Sequence, residues 1–220
     1  MTDAEEKEQT RVILFEGKEN GLYPFSFVKA LRKAKPSLSI LVIDNSRLQD
    51  LYYAVPKQEN IGNIYDAPVL AKRQYTKDVF SKFDYVVVYL GENVDEEYES
   101  FANMIFVISD YGLASKRFLS EFACASKASV QFIFTDKVSN KVTEQMMLKD
   151  MAHYDRHTIA DFAVVDMAEE DQAAYINWLR DGDNNAAKMS KDYQDTIAIL
   201  VKYATGSAAV IADDAEEEQE

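Results

Sequence analysis

The chain has 220 residues, of which 47% are hydrophobic and 28% are charged, and its formal net charge is −14 at pH 7. This size and composition are typical of one globular domain and exclude a collagen-like or largely disordered chain. The single cysteine excludes an internal disulfide, no apolar run is long enough to span a bilayer, and the acidic charge disfavours direct binding to nucleic acid or anionic lipid, so we expect a cytoplasmic protein.

The first half of the chain alternates short apolar runs with helical patterns. Residues 11–16 and 38–43 are apolar and rich in β-branched side chains, which predicts strands. Residues 25–34 carry apolar side chains at helical spacing and predict a helix, and residues 47–54 predict another. Residues 56–68, with Gly and Asn between two prolines, predict an irregular loop.

The second half repeats this alternation. Four further apolar runs predict strands at residues 85–90, 104–108, 130–134 and 161–166. Helical patterns cover residues 72–83, 95–102, 113–126, 142–154, 169–179 and 188–203.

Together these elements predict one α/β domain. Continuous apolar strands are buried on both faces, and their alternation with helices implies right-handed crossovers. We therefore predict a doubly wound, mostly parallel sheet of about six strands with helices on both faces, spanning residues 11–206. Residues 1–10 are expected to form a flexible acidic N-terminus, and residues 207–220 a disordered acidic tail, which either keeps the protein soluble or docks on a basic partner.

The loop after the first strand, GKENGLYPFS from Gly17, is the first candidate binding site, because ligands of such sheets bind at the carboxyl ends of the strands. A phosphate loop needs glycines that admit the phosphates to backbone N–H groups, a lysine, and a hydroxyl that binds Mg²⁺. This loop has Gly17, Lys18 and Gly21 but no Gly-Lys-Ser/Thr sequence, and Pro24 has no N–H. An ordinary turn between strand and helix is therefore favoured.

The strand YVVVYLG is the place where a nucleotide hydrolase would hold Mg²⁺. Such an enzyme needs an acid at the carboxyl end of this strand. Tyr89 and Leu90 stand there instead, and Asp84 precedes the strand at its other end. The sequence therefore disfavours both hydrolysis and a metal at this position.

Several segments together resemble the MinD/ParA family of deviant Walker ATPases. They are RVILFEGKENG, FVKALRKAKPSLSILVIDNS, KFDYVVVYLGENVD, FANMIFVISDYGLASKRFL and VQFIFTDKVSNKV. The resemblance covers about residues 11–180 and rests on the pattern and order of the strands. It implies that family's fold and an ancestry among proteins that organise the cell in space.

Most of the family's nucleotide-binding residues do not carry over. Lys18 matches the signature lysine, and Asp44 matches the acid after the second strand. Tyr23 falls where the phosphate-binding lysine belongs, Tyr89 replaces the Walker B aspartate, and the pair Asp136-Lys137 replaces the Asn-Lys pair that reads the base. The resemblance therefore implies a degenerate member that has no nucleotide cofactor and no ATPase activity.

The expected function is that of a non-catalytic pseudo-ATPase. By the resemblance, it is a scaffold or a localisation or regulatory factor in a bacterial pilus, secretion or conjugation-type assembly. The resemblance also implies recruitment to the membrane by a protein partner, and a homodimer. The remnant nucleotide-binding positions are Gly17, Lys18, Gly21, Asp44 and Asp110.

Three alternatives stay open. The first is a nucleotide-binding switch with an atypical loop that uses Lys18, Asp44 and Asp110. The second is a TIR domain, which the segment SDYGLASKRFLSEFACASKA resembles through Glu121, although FDYVVVYLG has no counterpart there. The third is a receiver domain, since Asp44 ends a strand.

Tyrosines crowd the middle segment and are the candidate partner-binding residues: Tyr52, Tyr53, Tyr65 and Tyr75. They either cover the sheet or form a contact surface for another protein. The resemblance adds some weight to the second interpretation, because the family uses this region near dimer and partner contacts, and both interpretations stay open.

No metal site is expected. His153 and His157 are spaced four residues apart and would need a third ligand such as Asp161 to hold zinc. Cys124 is expected in the core rather than as a nucleophile.

Overall fold

The computed structural model describes residues 10–71, 77–122, 127–137, 141–149, 151, 159–166, 168–181 and 189–206. The strands of this part are β1 (Arg11–Gly17), β2 (Ile40–Asp44), β3 (Lys57–Gln58), β4 (Ile61–Ile64), β5 (Ala67–Ala71), β6 (Tyr85–Gly91), β7 (Met104–Ser109), β8 (Ser129–Thr135) and β9 (Ile159–Val165). The helices are α1 (Leu22–Ala34), α2 (Asp50–Ala54), α3 (Lys77–Phe80), α4 (Glu96–Phe101), α5 (Leu113–Glu121), α6 (Glu144–Lys149), α7 (Glu169–Asp181) and α8 (Lys191–Thr205).

The described strands form one sheet in the order β3-β4-β5-β2-β6-β1-β7-β8-β9. From β5 to β9 every neighbouring pair is parallel, whereas β4 runs antiparallel to β3 and β5. This confirms the predicted doubly wound, mostly parallel α/β architecture. The parallel strands all end at one side of the sheet, called the carboxyl edge below, and begin at the opposite side, the amino edge.

Alternate residues of the central strands belong to two separate cores. Ile13 and Phe15 of β1 pack in the core on the side of α1, α2, α7 and α8. Val12 and Leu14 pack in the core on the side of α3, α4, α5 and α6. A sheet covered on both faces needs apolar residues at every position, which explains the continuous apolar runs.

The structure corrects the loop predicted over residues 56–68. There β3, β4 and β5 form an antiparallel meander with two-residue turns, and the turn residues Glu59, Asn60, Tyr65 and Asp66 all have φ between 47° and 67°. Positive φ at both central residues gives the turn that matches the twist of a hairpin. Neither turn contains the usual glycine, so no local pattern marks a hairpin here. The described sheet therefore has nine strands rather than about six.

The predicted helices are present at their predicted places with different bounds. Helix α1 begins at Leu22, three residues before the predicted start, because Pro24 is tolerated in a first helical turn. The short helix α2 begins only at Asp50. Helix α5 ends at Glu121, and Cys124 lies outside the described residues.

Residues 1–9 of the predicted N-terminal segment 1–10 and the whole predicted tail, residues 207–220, also lie outside the described part, so the domain bounds stay predictions. None of the described helices combines the length and the apolarity that crossing a bilayer requires.

Candidate functional site

The candidate site lies at the carboxyl edge, where β1 turns into the loop before α1. Gly17 has φ +94°, and a Cβ on it would lie 2.1 Å from the Ile108 carbonyl oxygen. The Lys18 amide donates a hydrogen bond to the same oxygen at 2.7 Å. Only glycine allows this close approach of β1 to the end of β7. The turn thus brings Lys18 to the carboxyl ends of β7 and β8.

Lys18 forms an ion triad with two carboxylates from neighbouring strands. Its Nζ lies 3.0 Å from Asp110 Oδ2 and also contacts Asp136 Oδ2. Burial lowers the pKa of Lys18, but the two carboxylates outweigh this effect and raise it. Burial also opposes ionisation of Asp110, but hydrogen bonds from Ser115, Gly112 and Lys18 bring the pKa of Asp110 below its usual value. Lys18 is therefore fully charged and neutralised within the chain.

The first turn of α1 binds a carboxylate of the chain itself. The Gly21 amide, at the N-cap of α1, donates a hydrogen bond to Asp50 Oδ2 at 2.8 Å. The Leu51 amide donates to Asp50 Oδ1 at 3.0 Å, and the Tyr175 hydroxyl donates to Oδ2 at 3.2 Å. A Cβ on Gly21 would lie 2.8 Å from Asp50 Oδ1, so glycine is needed for the carboxylate to sit there. Asp50 occupies the position at a helix N-terminus that suits a phosphate.

Asp44, at the end of β2, makes a separate set of hydrogen bonds. Its Oδ1 accepts from the Ser46 hydroxyl at 2.6 Å, and its Oδ2 accepts from the Tyr52 amide at 2.8 Å. Burial raises the pKa of Asp44 to about 6, although these donors partly oppose the shift. Asp44 thus organises the turn that leads into α2 and is not part of the Lys18 triad.

Two buried tyrosines and one glutamate complete this part of the carboxyl edge. The Tyr23 and Tyr89 hydroxyls are buried and have no hydrogen-bond partner among the described residues; the Asn20 amide approaches Tyr89 without reaching hydrogen-bond geometry. Burial raises the pKa of Tyr89 well above its usual value, and the nearby Asp50 and Glu19 add to the shift. Glu19 Oε2 is likewise buried and has no hydrogen-bond partner among the described residues. A phenol and carboxylates thus line the place where a nucleotide enzyme would need a metal-binding aspartate.

Glu16, the last side chain of β1 before Gly17, is a further buried acid. It is completely buried, and neither carboxylate oxygen has a hydrogen-bond partner among the described residues. Burial, then the charges of Glu99 and Asp95, raise the pKa of Glu16 to about 8. The group is therefore mostly neutral at pH 7.

Sequence reasoning missed Glu16 and Asp50. An acid directly after a continuous apolar run, as in VILFEG, is the signal that could have identified Glu16. No comparable signal marks Asp50, since it lies 29 residues from Gly21 and reaches it only through the fold.

The candidate partner-binding tyrosines are placed around α2 and the meander. Tyr53 is 66% exposed and Tyr65 is 53% exposed. Lys57 Nζ lies 5.0 Å from the centre of the Tyr52 ring and 5.4 Å from that of Tyr53. Tyr75 lies outside the described residues.

In the described part of the chain, no group of three or more His, Cys, Asp or Glu side chains could hold a metal ion. His153 and His157 lie outside the described residues, and so does the side chain of Asp161.

Solved structures with the same fold include MinD and ParA proteins. A ParA family ATPase from Chlorobium tepidum TLS superposes with a TM-score of 0.62 at 14% identity, covering 90% of this chain and 98% of that one. MinD from Aquifex aeolicus, in its complex with MinC, gives 0.60 at 11% identity, covering 92% and 98%. A putative plasmid partition protein from Borrelia burgdorferi B31, bound to AMPPNP, gives 0.52 at 12% identity, covering 89% and 100%.

These likenesses establish a MinD/ParA-like fold, as the sequence pattern predicted. No protein-family model matches the sequence, and no curated protein matches it significantly.

Proposed function

We propose that this protein is a non-catalytic relative of the MinD/ParA ATPases that acts by binding other proteins. The observation that carries the proposal is the Asp50 carboxylate on the Gly21 amide of α1. In a nucleotide-binding protein of this architecture, the N-terminus of this helix faces the phosphates. Here an anion supplied by the chain already accepts the hydrogen bond that a phosphate oxygen would take.

Lys18, Tyr23 and Glu19, which lie near Gly21 in the sequence, support the same conclusion. Lys18 is neutralised by Asp110 and Asp136, so its charge is already compensated without a phosphate. Tyr23 is fully buried and offers a phenol instead of an ammonium group. Binding of ATP would bring about four negative charges next to Asp50 and Glu19, which like-charge repulsion opposes.

The surface for protein partners is proposed around α2 and the meander. Tyr53, Tyr65 and Ile61 are exposed there, the last to 44%. Exposed aromatic side chains with little conformational freedom are typical of the centres of protein interfaces. The cation–π contacts of Lys57 hold the rings of Tyr52 and Tyr53 in place, which reduces the entropy lost on binding.

The setting that we propose is a bacterial assembly at the membrane, of the pilus, secretion or conjugation type. In it the protein serves as a scaffold or a localisation or regulatory factor and reaches the membrane through its partner. This setting rests on the family resemblance. One structural neighbour, MinD of Aquifex aeolicus, is a cell division protein in complex with MinC, which offers a precedent for a partner protein on this fold. A homodimer is part of the proposal.

Calorimetric titration with ATP and Mg²⁺ tests the loss of nucleotide binding. We expect no saturable heat up to millimolar ATP. The matched variants are Lys18→Ala, at the candidate site, and Lys191→Ala, at an exposed position at the start of α8. Mg²⁺-dependent binding that Lys18→Ala abolishes and Lys191→Ala preserves would overturn the proposal in favour of a nucleotide switch.

Partner binding is tested by cross-linking in the source cells. We expect the wild-type chain to be cross-linked to a defined partner and Tyr53→Ala with Ile61→Ala to lose that product. Ile199→Ala is the control, because Ile199 is 41% exposed on α8, outside the meander. Equal yields for all three proteins would contradict the proposed surface.

A further inference from the structure

The buried side chain of Glu16 faces the side of the sheet that α4 covers. Its register partner on β7 is Val107, and the residue two positions before it on β1 is Leu14. Both belong to the core on the side of α3, α4, α5 and α6. Side chains two positions apart on a strand point to the same face of the sheet. Since α4 contacts β1, the carboxyl group of Glu16 lies in this apolar core on the α4 side of the strand.

The charged groups that act on Glu16 are two other acids. Glu99 of α4 and Asp95 at the N-cap of α4 both oppose ionisation of Glu16. The other ionisable side chains at the ends of β1, β6 and β7 and on α5 are exposed or have partners of their own: Lys18, Glu19, Glu92, Asp110, Lys116, Arg117 and Glu121. In the described part of the chain nothing donates a hydrogen bond to Glu16, so its proton alone neutralises it.

Helix α4 has little stability of its own. It spans six residues, and helices shorter than about 12 residues are marginal without tertiary packing. The segment 95–101 reads DEEYESF, with four acids and no base. Its buried anchor is Tyr98, whose ring stacks with that of Phe80 at a centroid distance of 6.3 Å. Strand β1, in contrast, is paired with β6 on one side and β7 on the other, so α4 is the element that can move away from Glu16.

We propose that the proton on Glu16 holds α4 against the sheet, and that loss of this proton to water releases α4 locally while the sheet stays folded. In the docked state α4 covers a neutral carboxyl group. Without the proton, a carboxylate would face Glu99 and Asp95 in a core that excludes water. Separation of α4 is the smallest movement that lets water reach it. The inference goes beyond the proposed function and does not depend on it.

The released state becomes more populated as pH rises. In the docked state the pKa of Glu16 is about 8, whereas in the released state water restores a pKa near the usual 4.5. Between these two values the released state has lost the proton and the docked state keeps it, so each pH unit favours release about tenfold. Above about pH 8 Glu16 is ionised in both states, and the effect levels off.

Hydrogen exchange of the full chain between pH 6 and pH 8, with each amide rate divided by its intrinsic rate, tests this inference. We expect the protection factors of the α4 amides to fall about tenfold per pH unit. At every pH they should be lower than those of β1, because release of α4 leaves the strand pairing intact. The last turn of α8, on the opposite face, frays without uncovering Glu16, so its protection factors should stay constant.

Three variants separate Glu16 from the other acids of this region. Glu16→Gln cannot ionise and should make α4 protection independent of pH, whereas Glu97→Gln, on an exposed residue of α4, should keep the fall. Glu99→Gln removes the larger of the two neighbouring charges, so the fall should level off at a lower pH than in the wild-type chain. Protection of α4 equal to that of β1 at every pH, or an undiminished fall in Glu16→Gln, would overturn the inference. Since no nucleotide or partner takes part, either result leaves the proposed function to its own tests.

Discussion

At the two edges of the parallel sheet, the ends of the helices form hydrogen bonds with side chains of opposite charge. At the carboxyl edge, where helices begin, Asp50 accepts from the Gly21 amide of α1, and Asp95 accepts from two amides of α4. At the amino edge, where helices end, Arg11 donates to a carbonyl of α8, and Arg32 donates to the carbonyls of Pro36 and Leu38 just after α1.

This difference follows from the architecture. A doubly wound fold places the positive ends of its helix dipoles along the carboxyl edge and the negative ends along the amino edge. Acids are therefore stabilised at the first edge and bases at the second. The same positive helix ends that would attract a phosphate at the carboxyl edge attract the chain's own carboxylates, which is the physical basis of the proposed loss of nucleotide binding.

Glu16 is the exception at the carboxyl edge and gives the largest predicted effect. Its folded pKa of about 8 exceeds the usual value of 4.5. Above pH 4.5 the unfolded chain loses this proton while the folded chain keeps it, so the free energy of unfolding falls as pH rises, up to about pH 8. Each pH unit between these two pKa values lowers the free energy of unfolding by about 1.4 kcal/mol, so the total loss is roughly 5 kcal/mol. Glu16→Gln should remove this contribution, which urea unfolding between pH 6 and pH 8 separates from that of Asp44, whose pKa is about 6.

The matched control for this prediction is Glu97→Gln, on an exposed residue of α4. It should leave the pH dependence unchanged. If Glu16→Gln and the wild-type chain show the same pH dependence of stability, Glu16 is ionised in the folded protein, and it is then no exception among the acids of the carboxyl edge.

Asp50→Ala gives the next largest effect and tests whether the carboxylate acts as an internal anion. The change leaves the Gly21 and Leu51 amides and the Tyr175 hydroxyl without their acceptor, which should lower the free energy of unfolding by roughly 2–4 kcal/mol. Sulfate should restore part of the melting temperature of Asp50→Ala beyond its effect on the wild-type chain, because it can bind the vacated helix end.

Asp192→Ala is the control for a lost acid, since Asp192 is exposed in the first turn of α8. It should change stability by less than about 0.5 kcal/mol. A loss for Asp50→Ala as small as this would mean that the carboxylate is readily replaced by water and does not block the helix end.

More of the fold than of the candidate site could be predicted from the sequence. The strands and helices from Tyr85 to Thr135 were predictable, because buried parallel strands leave continuous apolar runs. The meander was not, because Tyr65 and Asp66 adopt positive φ without glycine. Of the site, the Lys18 turn followed from its glycines, whereas the bond from Gly21 to Asp50 depends on how α2 packs against α1, which no local pattern records.

Tyr89→Phe tests a smaller effect within the carboxyl edge. The Tyr89 hydroxyl is buried and unpaired among the described residues, so its removal should raise the free energy of unfolding by about 1 kcal/mol. Tyr193→Phe is the matched control, because the equally buried Tyr193 hydroxyl donates to Ser26 Oγ at 3.2 Å and its loss should cost about 1 kcal/mol. If both changes destabilise the protein equally, the Tyr89 hydroxyl has a partner such as a bound water.

Arg11→Met gives the smallest predicted effect and extends the comparison to the amino edge. The change keeps much of the apolar stem but removes the donor to the Ala204 carbonyl, which should cost about 0.5–1 kcal/mol and speed hydrogen exchange in the last turn of α8. Lys202→Met, at an exposed position in the same turn, removes an equal charge without this hydrogen bond and should have little effect. If the two variants exchange alike, the bases of the amino edge act through their long-range charge and not through the hydrogen bond to the Ala204 carbonyl.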